Sequence, residues 1–193
     1  MVCRLVSILN TSDICSKRLL PSILGVSIGL FQVVSVEAQV IPDATLPTNS
    51  IVSNTGVSIE IDGGTRVGNS LFHSFEQFSV RNGETVSFQN PVNIETVFSR
   101  VTGVNSSEIN GILQSEGMAN FFLINPNGII FGEDAELDVG GSLFASTADY
   151  IEFSDNIKFS ASSPSFQPLL NISSPIGLGF TSNAADITNR SLF

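Results

Sequence analysis

Asn120–Phe121–Phe122–Leu123–Ile124–Asn125–Pro126–Asn127–Gly128–Ile129–Ile130–Phe131–Gly132 places two apolar runs on either side of an Asn-Pro-Asn-Gly corner. Each corner residue has a reason to be there. An Asn side chain bonds backbone two residues on, Pro presets φ, a second Asn is tolerated, and Gly closes a type I turn. The flanking runs are aromatic and β-branched and only a few residues long. They read as two short strands, buried on at least part of both faces and joined by a sharp bend.

Moving outward, the middle of the chain keeps this character. From Ser79 to Phe159, short apolar runs are separated by Gly or Asn, with no helical window, which is the pattern of an all-β protein. Val57, Ile59 and Ile61 alternate with Ser58, Glu60 and Asp62, and Asp62–Gly63–Gly64–Thr65 turns the chain. Val86 and Phe88 alternate after an Asn82–Gly83 turn. Leu71–Phe78 breaks the rhythm, because its phenylalanines recur every three residues; it reads as a short helical turn or a bend planting aromatics on the core. Segments from Gly83, Val104 and Met118 could each supply one coil of a solenoid. A β-sandwich would give similar spacing.

The ends read differently. Arg4, Lys17 and Arg18 precede an apolar stretch from Leu19 to Val36, followed by Val36–Glu37–Ala38, the order of a secretory signal cleaved after Ala38. An uncleaved membrane anchor is the alternative; Pro21, Gly25 and Gly29 thin the segment for that role. Ile41–Ser50 reads as an extended lead-in, Ala161–Pro168 as a Ser/Pro-rich loop, and Leu169–Ile172 and Ile176–Phe180 as strand-like returns. The expected organisation is a signal at 1–38, one β domain at 39–180 and an unpatterned tail at 181–193.

Composition narrows the function. Both cysteines, Cys3 and Cys15, fall inside the signal, so the remaining 155 residues have no disulfide and rest on core and ladders. They carry five bases and sixteen acids, a formal charge of −11 that disfavours nucleic acid as a partner. Without cysteine, and with His73 as the single histidine, a zinc site is not expected, and no other metal or cofactor is called for. His73 among phenylalanines reads as a packed histidine; no Gly-x-Ser-x-Gly elbow accompanies it. Glu133, Asp134, Glu136 and Asp138 alternate in part with Ala135, Leu137 and Val139, which places them on the wet side of a strand and not in a calcium loop. Nothing pairs two carboxylates in the manner of a glycosidase, and no enzyme activity is expected. Arg100, between Phe98 and Val101, needs a partner if buried: a structural salt bridge to a carboxylate, or a contact with export machinery.

The corner Asn125–Ile129 resembles the Asn-Pro-Asn-Gly-Ile motif of the filamentous-haemagglutinin N-terminal domain, the secretion domain of two-partner secretion exoproteins. The likeness runs from Ile41 to Phe180 through Phe72–Phe75 with Phe78, Ser99–Gly103, Ile109–Gly111, Leu123–Gly132, Gly140–Thr147 and Pro175–Leu178. The wording is nearest a cyanobacterial-like branch. Asn90–Pro91–Val92–Asn93 stands where many members carry an earlier Asn-Pro-Asn-Leu, so the role of that first motif is in question.

The resemblance implies a right-handed parallel β-helix with an N-terminal cap and small accessory antiparallel strands. It implies a secretion-targeting domain, with Asn125, Pro126, Asn127, Gly128 and Ile129 as the secretion motif and Arg100, Asn90 and Pro91 as secondary candidates. The partners would be the general secretion machinery and an outer-membrane β-barrel transporter with periplasmic domains, and the product would be secreted or held at the cell surface. A long repetitive cargo normally follows such a domain, so this chain looks like one whose cargo is missing. The alternatives are a fragment of a surface adhesin or carbohydrate-binding β-helix and, behind it, a β-helix polysaccharide-degrading enzyme.

Overall fold

Residues at matching places in successive segments lie side by side, so the period hidden in the sequence is a spatial one. A computed structural model describes residues 39–164, 174–181 and 184–192, all within one compact unit, Glu37–Phe193. The expected signal at 1–38 and the run Leu169–Ile172 lie outside the described residues.

The strands in chain order are β1 (Val40–Pro42), β2 (Ser50–Asn54), β3 (Ser58–Gly63), β4 (Thr65–Val67), β5 (Ser70–Phe78), β6 (Thr85–Phe88), β7 (Thr96–Val101), β8 (Ser107–Ile109) and β9 (Ile112–Ser115). They continue with β10 (Asn120–Ile124), β11 (Ile129–Phe131), β12 (Glu136–Val139), β13 (Leu143–Ser146), β14 (Tyr150–Phe153), β15 (Lys158–Ser160), β16 (Pro175–Gly179) and β17 (Ile187–Asn189). The only helix among the described residues is a single 3₁₀ turn, Ser154–Asn156.

Three parallel ladders wrap one core. The first sheet runs β3, β6, β9, β12; the second β5, β7, β10, β13; the third β8, β11, β17. The chain visits them in turn, which makes a parallel β-solenoid of about three turns, each taking roughly 25 residues. This excludes the sandwich. The coils start at Thr85, Ile112 and Glu136 on the first sheet, so Gly83 marked a coil correctly but Val104 and Met118 did not. Val104 precedes a third-sheet strand and Met118 a second-sheet strand. Short apolar runs are single sides of a triangle, and counting each as a whole coil shortens the period.

Ile59, Val86, Leu113 and Leu137 stack at one interior position, and Leu71, Val97, Phe121 and Leu143 at another. Val57 does not join them: it precedes β3 and is exposed. Each interior side chain that leaves water contributes about 1.5–3 kcal/mol, and no disulfide is needed. Antiparallel strands close the N-terminal end, β2 on β3 and β1 and β4 on β5. A small antiparallel sheet, ordered β15, β14, β16, packs on the outer face of the second sheet and encloses a second cluster of Phe72, Phe98, Ile124, Ile151, Phe153 and Phe159.

Leu71–Phe78 is neither a helical turn nor a bend. It lies within β5, a nine-residue strand buried on both faces. Leu71 and Phe75 point into the solenoid, whereas Phe72 points out under the accessory sheet. A bulge opposite Ile41 and Pro42 then shifts the phase, so Phe78 returns to the interior three residues after Phe75. Two clusters plus one bulge produced the three-residue period. Ile187–Asn189, in the segment read as an unpatterned tail, is β17 and pairs in parallel with β11.

Candidate functional site

The corner between β10 and β11 joins the second sheet to the third. Asn125 is fully buried, and every polar atom of its amide is used. Its Nδ2 donates to the Asn105 carbonyl and to Ser107 Oγ, both at 3.0 Å, and its Oδ1 accepts from the Asn127 amide at 3.0 Å. Its backbone N–H donates to the Ser146 carbonyl, and its carbonyl accepts from Gly128 N–H at 3.1 Å, closing the turn. Asn127 Nδ2 donates to the Gly103 carbonyl at 2.7 Å. Gly128 holds φ +114°, where a side chain is strained, and an added Cβ would stand 3.3 Å from the Asp186 carbonyl oxygen. Ile129 is buried and lies between Ser107 and Ile187 in the third sheet. One pentapeptide therefore ties its own coil to the coil before (Gly103, Asn105, Ser107) and to the strands after (Ser146, Asp186). Pro126 is half-buried and Asn127 exposed, so they form the part a partner can touch.

The secondary candidates lie elsewhere. Asn90 and Pro91 stand at the corner between β6 and β7, where the first sheet meets the second. Asn90 Nδ2 donates to Ser115 Oγ at 2.9 Å and to the Glu116 carbonyl at 2.8 Å, and its Oδ1 is buried without a partner. Pro91 is exposed, and Asn93 takes φ +71°.

Arg100 neighbours Ile124 across the ladder, but its side chain lies on the outer face under the accessory sheet, fully buried. Among the described residues it forms no direct salt bridge of the kind expected from the sequence. Nε donates to Ser74 Oγ at 2.8 Å, Nη1 to the Ser160 carbonyl at 2.7 Å and Nη2 to Thr45 Oγ1 at 2.7 Å, with the guanidinium 4.4 Å from the centre of the Phe159 ring. Burial pushes its pKa down to about 10, partly opposed by the charge of Asp43. Asp43 is held one step away, accepting from Thr45, Ser74 and Thr102. Burial raises the Asp43 pKa, but those hydrogen bonds outweigh it and keep the carboxyl below its usual value. Hydroxyls relay the ion pair because Ser74 and Thr45 occupy the space between the charges. The apolar flanks of Arg100 indicated burial, but nothing local to it pointed to Asp43, 57 positions earlier in the chain.

His73 is fully buried, stacked near Phe75 and edge-on to Phe88, with Nδ1 hydrogen-bonded to Ser50 Oγ at 2.9 Å. Burial lowers its pKa to about 4 despite the charge of Asp62, so it is a neutral core residue at physiological pH. Glu133, Asp134, Glu136 and Asp138 are all exposed, with Asn82 donating to Asp134 and Gln114 to Asp138. Among the described residues no group of three or more His, Cys, Asp or Glu is placed to hold a metal. A groove of about 390 Å³ beside Asn69, Ser70, Glu95 and Thr96 contains one carboxylate, already bonded to Asn69 at 3.0 Å, so no acid/base pair is assembled there.

With this geometry in place, the TPS secretion domain model matches residues 38–191. The chain belongs to that family. The two-partner secretion domain is similar to the heme/hemopexin-binding protein of Haemophilus influenzae strain KW20 / Rd, 37% identical over 105 residues, which is 54% of this chain and 11% of the relative. A second heme/hemopexin-binding protein from H. influenzae is 35% identical over 82 residues, 42% of this chain and 8% of that protein. The chain thus spans about a tenth of the length of the curated relatives it matches. Membership makes it a domain of a two-partner secretion exoprotein, a class that crosses the outer membrane to the cell surface or the extracellular space.

Proposed function

We propose that this domain is the targeting element of its exoprotein, recognised in the periplasm by the periplasmic domains of a dedicated outer-membrane β-barrel transporter. A cleaved signal at 1–38 brings it there through the general secretion machinery. An unfolded chain offers unpaired strand edges that can add to an edge of the transporter. Folding outside then yields a finished stack on which later coils assemble.

The observation that supports this reading best is the corner at Asn125. Its Nδ2 spends both bonds on the coil before, at the Asn105 carbonyl and Ser107 Oγ, and its Oδ1 braces the turn at the Asn127 amide. In such a role the motif acts on secretion through folding, while Asn127 and Pro126 offer the exposed contact.

Co-expression with the barrel encoded nearby, comparing medium with periplasm, tests the proposal. Wild-type chain is expected in the medium and Asn125→Ala in the periplasm. Asn127→Ala separates the two routes: retention at unchanged folded stability makes the corner a direct contact, and normal export makes it a folding element. Export of all three forms without the barrel counts against the proposal.

A further inference from the structure

Four phenylalanines share one register position on the outer face of the second sheet. Phe72 lies beside Phe98, Phe98 beside Phe122 and Phe122 beside Phe144. Their rings form a ladder, with centroids 5.0, 5.0 and 4.4 Å apart and interplanar angles of 18°, 33° and 12°. The accessory sheet covers the early rungs, with Phe153 and Phe159 edge-on to Phe72 and Phe153 edge-on to Phe98. The last rung is open: Phe144 is 46% exposed.

Phe144 lies on β13, whose far edge pairs with no other described strand. Phe121 N–H donates to the Ser142 carbonyl and Asn125 N–H to the Ser146 carbonyl, so by the alternation of a parallel ladder Leu143 and Ala145 direct their backbone groups outward. β12 and β17 end their sheets at the same side of the solenoid. A second copy does not fit this end. Joined head to tail, it would present the antiparallel strands β1 and β4, which carry no phenylalanine. Joined tail to tail, it would set Glu136 and Asp138 of β12 against their own counterparts.

We propose that the open end is a selective docking surface for a coil that continues the solenoid, with Phe144 as the element that sets its register. The incoming strand runs parallel to β13 and places an aromatic side chain on Phe144, with apolar residues over Leu143 and Ala145. This rests on the templating role proposed above and adds a sequence rule to it. A one-residue slip would move the aromatic to the opposite face, so one ring discriminates between registers.

The test extends the full chain by one extra coil copied from its own residues 112–135, a turn already known to stack, in which Phe122 supplies the facing ring. Hydrogen exchange at the Leu143 and Ala145 amides reports docking. The Phe-bearing coil is expected to protect them roughly tenfold more than the same coil with Ala at that place, the size of an aromatic pair, with Leu in between. Phe144→Ala in the domain should abolish the preference while β10 amides keep their protection. Equal protection by all three coils, or a preference that survives Phe144→Ala, overturns the role of the ladder and leaves templating intact. Protection by none of them overturns both.

Discussion

The two Asn-Pro corners of this solenoid begin alike and differ in what they hold. Asn90–Pro91–Val92–Asn93 reaches one coil forward, to Ser115 and Glu116, and leaves Asn90 Oδ1 without a partner. Asn125–Pro126–Asn127–Gly128 reaches both ways and leaves no atom of its first amide unused. The dipeptide alone therefore does not make a structural joint. A coil on each side, and a carbonyl or hydroxyl within 3.0 Å on each, does.

The largest expected difference is in stability. Asn125→Ala removes two donor bonds and one acceptor bond from a fully buried side chain; it strands the buried Ser107 Oγ and takes a partner from the part-buried Asn105 carbonyl and Asn127 amide. At about 1–3 kcal/mol for the group left buried and unpaired and less for the two that water can reach, the loss is about 3 kcal/mol. Asn90→Ala, at a partly exposed corner, should cost about 1 kcal/mol. Urea unfolding of the two variants measures the gap, and equal costs would mean that the corners are equivalent after all.

The second prediction isolates the corners from acid. Neither contains an ionisable group, so the gap between Asn125→Ala and Asn90→Ala should be the same at pH 7.5 and pH 4.5. The whole domain should not behave so. His73 falls from its ordinary 6.5 to about 4 on folding, because burial disfavours the charged ring. Between those values the unfolded chain binds the extra proton, so stability is fully present above pH 6.5 and is lost as pH falls toward 4. The loss is up to about 3 kcal/mol by linkage. His73→Gln, unfolded in urea across the same range, should flatten that dependence and leave the gap between the corners intact.

What could be read without coordinates follows the same division between local and distant causes. The Asn125 turn was legible because its chemistry sits in four consecutive residues. The strand at Leu71–Phe78 was misread because its period belongs to two cores on opposite faces and a bulge against β1, none of which is local. The same holds for Arg100. Its burial could be inferred from Phe98 and Val101, but its relay to Asp43 through Ser74 and Thr45 crosses three elements. The aromatic ladder has no local signature for a related reason: Phe72, Phe98, Phe122 and Phe144 are unevenly spaced along the chain, since the turns of the solenoid differ in length at their corners, and they align only in the sheet. β17 was missed because a three-residue strand with one apolar side chain has no pattern until β11 lies beside it.

The smallest gap separates the last residues of the two corners, where the backbone takes positive φ in both. Gly128 sits at φ +114° and Asn93 at +71°. Asn is among the few side chains that tolerate the second value, whereas the first suits glycine alone. Gly128→Ala should therefore cost about 1–2 kcal/mol, from strain at that φ and the approach to the Asp186 carbonyl. Asn93→Gly should change stability by only a few tenths of a kcal/mol, since it relaxes a mildly strained residue but frees the unfolded chain. Chemical unfolding of both variants is the measurement. If Gly128→Ala proves neutral, the corner adapts its backbone, and the rigidity attributed to Asn125 comes from its side-chain bonds alone.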